Sequence, residues 1–213
     1  MRTEDLVAML ATGAGAVAQH ESRRRYAAAL AGGALGATLL MLALLGPRPD
    51  LAAALRLPMF WVKFGFVACL AAAGLAAALR MSTPGRRLGW VAAAAAAPVA
   101  AIWLLAAVVL ARADAAQRVV AFFGDTWNSC PFLIALLSAP VFAGAIWAMR
   151  GLAPTRLRPA GAAAGLLAGG VGAMVYSVHC PEMAAPFIGF WYLLGVLIPT
   201  ALGALLGPRL LRW

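Results

Sequence analysis

The sequence predicts an all-α polytopic membrane protein, a bundle of six transmembrane helices behind a short cytoplasmic amphipathic segment. Three observations lead there. Hydrophobic residues make up 64% of the 213 and charged residues only 11%, far below the roughly 25% charge that dresses a soluble surface. Six apolar runs, at 26–45, 59–79, 89–110, 131–149, 159–178 and 188–207, match the roughly 20 residues a helix needs to cross a bilayer. None of them alternates as barrel strands do, and helices satisfy their own backbone amides in lipid.

Two units follow: residues 1–25 as a cytoplasmic segment and residues 26–213 as the transmembrane domain. In the first, Thr3 is placed to cap a helix, with Glu4 and Asp5 complementing its dipole. Leu6, Met9 and Leu10 fall on one face with Val7 beside it, and Gly13 and Gly15 then weaken the helix. So short an apolar stripe is not stable alone in water. The membrane surface, the bundle or a partner that accepts a helix in a groove must cover it, and membrane adhesion and partner binding both stand. The first long run begins at Tyr26 and ends in GPRPD, which reads as a true helix and not as a cleaved signal.

The remaining runs are joined by short connections rich in Pro and Gly. The longest, 111–130, is expected to hold an interfacial helix over 118–123, where Val119, Val120, Phe122 and Phe123 dip into headgroups. Trp61, Trp90, Trp127, Trp147 and Trp213 mark span ends as an interfacial belt. In the fifth run Gly161, Gly165 and Gly169 make a small-residue ridge for close helix contact. Lys63, one turn inside the second run, is expected to snorkel outward. Cys69, in the middle of that run, is expected to be a packed apolar side chain.

Charge sets orientation. Of the 17 basic residues, only Arg48, Arg56, Lys63, Arg112 and Arg118 fall on one side; the other twelve share the side of both termini. The positive-inside rule puts that side in the cytoplasm. The net charge of +10 then reflects topology and anionic headgroups, with no aromatic-interleaved basic stripe to call for nucleic acid. The acids Asp50, Asp114, Asp125 and Glu182 fall in outer loops, so the spans lack the buried carboxylates of an ion-coupled carrier.

The candidate chemistry is cysteine. Cys130 in NSCPF and Cys180 in SVHCPEM are each followed by proline and are both predicted on the outer side, where disulfides are permitted. Pro131 suits a first helical position, which puts Cys130 at a helix start. His179 and Glu182 beside Cys180 add borderline metal ligands. Without a C-x-x-C spacing, a bridge, a thiol pair, a transient metal ion and two unrelated buried thiols all remain open.

The stretches TEDLVAMLATGAGAV, GPRPDLAAAL, PMFWVKFGF, NSCP, LAPTRLRP, VHCPE and GPRLLRW together resemble the NrsF-type integral membrane anti-sigma factors. These are bacterial negative regulators of extracytoplasmic-function sigma factors. The resemblance implies a multi-pass inner-membrane protein that acts in stress signal transduction and transcription regulation, not as an enzyme. It implies that residues 1–25, through Leu6, Met9 and Leu10, hold the sigma factor. It further implies that Cys130 and Cys180, supported by His179 and Glu182, sense a metal or oxidative signal. No cofactor beyond a transient metal ion and no direct nucleic-acid contact is implied. Two rivals stand beside it. A membrane thiol oxidoreductase wants a reactive pair on one mobile loop, and a metal or small-molecule permease wants ligating groups along its spans.

Overall fold

The computed structural model describes residues 3–13, 19–83, 85–152 and 154–212. Arg2, Gly15 and Trp213 lie outside them, as do the side chains of Leu10, Gln19 and Arg23. Every described element is helical: α1 (Thr3–Gly13), α2 (Gln19–Leu44), α3 (Leu51–Ala54), α4 (Pro58–Met81), α5 (Val91–Arg112), α6 (Ala115–Phe123), α7 (Cys130–Arg150), α8 (Leu157–Tyr176), α9 (Ala185–Phe187) and α10 (Leu193–Leu210). A π-helical turn, Ile188–Tyr192, joins α9 to α10. Six stretches are long and apolar enough to cross a membrane: Arg24–Leu44, Pro58–Met81, Val91–Arg112, Cys130–Arg150, Leu157–Tyr176 and Ala185–Leu210. These are the six predicted runs, with each end within three residues of its predicted position.

Local chemistry sets the boundaries. Pro58 and Pro131 occupy the first turns of α4 and α7, where a missing amide hydrogen costs nothing. Helix α6 starts at Ala115, earlier than the expected 118, because Asp114 and Gln117 form a capping box. The Asp114 carboxylate accepts from the Gln117 amide at 2.8 Å, and the Gln117 side chain accepts from the Asp114 amide at 3.3 Å. That D-x-x-Q spacing was readable in the sequence. Arg118 then donates to the carbonyls of Leu110 and Ala113, closing the carboxyl end of α5.

Helix α8 is the most buried span and packs against α10, α4 and α7, while α2 lies on α7 and α5 sits outside against α4. Its glycines explain this. A Cβ at Gly161 would run into the Gly203 carbonyl of α10, and one at Gly165 into the Pro199 carbonyl. One at Gly170 would meet Ala71 of α4, and one at Gly172 the Ser138 hydroxyl of α7. The ridge expected from Gly161, Gly165 and Gly169 is therefore an intramolecular seam with α10. Helices in lipid associate through such close packing, since the lipid is as apolar as their side chains.

Two expectations are corrected. Cys69 does not pack inside; it lies exposed on the flank of α4, where an apolar thiol suits lipid as well as core. Lys63 does not snorkel outward either; it is 0% exposed and points into the bundle, for reasons given below. Trp61, Trp90, Trp127 and Trp147 are all exposed, as interfacial anchors require.

The seam predicts a sharp contrast. Gly165→Leu should destabilise the bundle by at least about 1–3 kcal/mol, the cost of forced overpacking. Gly65→Ala, where nothing lies within 4 Å of the added methyl, should change stability by about 1 kcal/mol or less. Thermal unfolding of the purified protein in detergent measures both.

Candidate functional site: a buried dithiol under a pinned loop

Cys130 opens α7, and Cys180 lies in the non-helical connection between α8 and α9. Both thiols are free and fully buried in one apolar cluster. Their sulfurs lie close enough to interact as one coupled pair. Of the readings left open above, two unrelated thiols is thus not what the fold contains. The expectation that a reactive pair needs a single mobile loop, used against an oxidoreductase, also loses its force, because separate connections deliver the two sulfurs to one place.

The loop bearing Cys180 is held from three sides. From α4, Lys63 donates to the carbonyls of Cys180 and Glu182, each at 3.0 Å. From the connection after α2, Arg48 donates to the same Cys180 carbonyl at 3.3 Å and to Pro181 at 3.5 Å. Its amide donates to Val178 at 3.1 Å. From the connection before α7, the Asp125 amide donates to the Glu182 carboxylate at 2.8 Å, and the Thr126 hydroxyl does so at 3.4 Å. Gly124 permits that approach: its φ is +53°, and a Cβ there would press on the Glu182 carboxylate at 2.5 Å.

These contacts explain Lys63. An ammonium in an apolar bundle needs acceptors for its protons and dipoles for its charge. The extended loop offers carbonyls that no helix consumes, and the rings of Phe60 and Tyr192 lie 5.8 and 5.6 Å from Nζ. Inward is therefore the solvating direction. Sequence reasoning missed this residue because an apolar run says nothing about which flank faces a loop folded back from 117 residues away.

Electrostatics favour a negative Cys180. The hydrogen bond from Cys130 is the largest influence, and Lys63, Tyr192 and a backbone amide add to it against the cost of burial. Together they lower the Cys180 thiol to about 6. Arg48 also binds Asp50 through two 2.7 Å hydrogen bonds. That pairing holds the Asp50 carboxyl below its usual range and raises the Arg48 guanidinium. Tyr192 is buried with no well-formed hydrogen bond on its hydroxyl.

The supporting residues have other work. His179 bonds the Gly46 carbonyl at 2.8 Å through Nδ1. A carbonyl only accepts, so Nδ1 carries the proton. The Glu182 carboxylate accepts from Asp125 and Thr126, and the Thr126 hydroxyl also lies 4.0 Å from the Cys180 sulfur. Among the described residues, no three His, Cys, Asp or Glu side chains gather as a metal site. At the far end of the molecule, Leu6, Val7 and Met9 of α1 are exposed, and Leu10 shares the helix with its side chain outside the described set.

Six apolar spans enclosing a buried thiol pair define the class: a polytopic membrane protein with a thiol site at one end. The comparisons narrow it. The family described as NrsF, negative regulator of sigma F, matches residues 10–213, and the chain belongs to that family. It is 62% identical over 213 residues to the probable anti-sigma-F factor NrsF of Azospira oryzae (strain ATCC BAA-33 / DSM 13638 / PS), with both chains wholly covered. It is 42% identical over 225 residues to the anti-sigma-F factor NrsF of Caulobacter vibrioides (strain NA1000 / CB15N), again over the whole of each. No solved structure matches the chain.

Glu182→Ala should loosen the pinned loop. A hydrogen bond to a charged acceptor is worth about 1.5–3 kcal/mol, so exchange of the Asp125 amide should rise by about tenfold or more. Hydrogen-exchange mass spectrometry in detergent checks this.

Proposed function

We propose that this chain is a bacterial inner-membrane anti-sigma factor. It sequesters an extracytoplasmic-function sigma factor through residues 1–25 on the cytoplasmic side. It releases that factor when an oxidative signal acts on the Cys130/Cys180 pair on the opposite side. Membership of the NrsF family supports negative regulation of a sigma factor. The observation that carries the sensing claim is the coupling of two buried free thiols on separate connections. Thiol oxidation is preferred to metal binding because no third ligand stands with the sulfurs among the described residues.

A mechanical route supports the link between the ends. Helix α2 runs about 39 Å for 26 residues, and its first turns belong to the cytoplasmic segment. Its far end is tied to the Cys180 loop by the His179–Gly46 and Arg48–Val178 bonds. Cys130 begins α7, the helix on which α2 lies. A bridge between the cysteines draws the loop and the start of α7 together, so both supports of α2 move at once. To shift from almost wholly bound to almost wholly released, the signal must favour one packing by about 5.5 kcal/mol.

Two measurements test the reading. A sigma factor should co-purify with the intact protein from detergent extracts and be lost when residues 1–25 are deleted; retention after deletion overturns the assigned binding segment. Replacing both Cys130 and Cys180 by Ser should leave sigma-dependent transcription repressed under oxidative stress. An undiminished stress response in that double variant would remove the sensing role.

A further inference from the structure

The two sulfurs are chemically unequal, and the inequality comes from the loop contacts. Two cations, Lys63 and Arg48, converge on the carbonyl of Cys180. The buried Tyr192 hydroxyl, a donor without a well-formed partner, lies beside the same thiol. Neither cation has a hydrogen bond to Cys130 among the described residues. Arg48 is already matched by Asp50, whereas Lys63 hydrogen-bonds two loop carbonyls and faces two rings. The Glu182 carboxylate is turned to Asp125 and Thr126. Of the groups that favour the Lys63 charge, the Cys180 sulfur acts more strongly than Cys130 or the Glu182 carboxylate. Cys130 sits at a helix start, which also favours a thiolate, but Lys63 acts on it less than on Cys180.

We infer that Lys63 is a positioning residue that makes Cys180 the attacking thiolate and leaves Cys130 as the resolving thiol. The inference rests on the sensing role proposed above. With a hydroperoxide as oxidant, the Cys180 thiolate attacks one peroxide oxygen and the O–O bond breaks. Sulfur loses two electrons to become a sulfenic acid, and hydroxide or alkoxide leaves and takes a proton from solvent. Cys130 then attacks the Cys180 sulfur; the S–S bond forms, the S–O bond breaks, and the departing hydroxide takes the Cys130 proton to leave as water.

The groups facing Cys180 are Lys63 from α4, Arg48 from the connection after α2, Cys130 from α7, Tyr176 from α8, Tyr192 from the π-helical turn and Glu182 from its own loop. The thiol, at about 6, is largely thiolate at pH 7 and is protonated as the pH falls through 6. Reactivity should therefore fall on acidification, below the midpoint of an ordinary thiol near about 8.5.

The test uses full-length protein in detergent with Cys69→Ser in the background, treated with hydrogen peroxide and a dimedone-type trap. With Cys130→Ser added, the adduct should form on Cys180; with Cys180→Ser instead, Cys130 should stay unlabelled over the same interval. Adding Lys63→Gln to the Cys130→Ser protein keeps donors for the two carbonyls and removes the charge. It should move the alkylation midpoint of Cys180 upward and slow its reaction at pH 6 by about tenfold, because thiolate population falls further than intrinsic nucleophilicity rises. Lys63→Arg should restore the low midpoint. Trapping first on Cys130, or an unmoved Cys180 profile in Lys63→Gln, overturns the inference. If Lys63→Gln does not fold, the order of trapping in the two single-cysteine proteins decides alone. Failure of the sensing role itself shows separately, as a stress response intact in the double serine variant.

Discussion

The structure at the cysteine end depends on one exchange: Lys63 donates hydrogen bonds to the carbonyls of Cys180 and Glu182, and they give it solvation. Each side has a need that the other meets. The chain between α8 and α9 is non-helical, so its carbonyls lack intrahelical donors, and buried backbone without partners is costly. An ammonium inside an apolar bundle is costlier still. Placed together they form a stable unit, and around it fall Cys180, the Glu182 contact to the neighbouring connection, and Tyr192 from the π-helical turn. Such turns occur often at functional sites because they re-aim one side chain within a helix. Here the re-aimed residue joins the thiol pocket.

That end is connected to the rest through α8. Its glycines press backbone against backbone on α10, α4 and α7, which leaves little room for one helix to move without its neighbours. Packed interiors of this kind switch between discrete arrangements more readily than they deform. A local change at the sulfurs is therefore well placed to be felt along whole helices. Helix α5 stands apart from this hub, mostly lipid-facing, and α6 with Phe122, Phe123 and Trp127 packs on Trp191 at the surface of the cysteine end.

Legibility differed by residue for identifiable reasons. The six spans were legible because length and apolarity are properties of contiguous sequence. Cys130 at a helix start followed from Pro131, a one-residue rule. The early start of α6 is also written locally, in the capping box of Asp114 and Gln117. Lys63 and Cys69 were not legible, since each required knowing which flank of α4 meets protein and which meets lipid. The hydrophobic pattern is uninformative there: almost every position of α4 is apolar, and burial alternates with packing and not with polarity.

The sequence by itself determined the class of protein, the number of crossings, the close seam of small residues and the family. All of these are carried by composition, run length or short motifs. Only the tertiary structure decided that Cys130 and Cys180 lie together and that Lys63 turns inward. The physical reason is the same in each case. A charge or a thiol in an apolar bundle takes its properties from whatever the fold brings against it, and Lys63 meets the Cys180 carbonyl across 117 residues of chain.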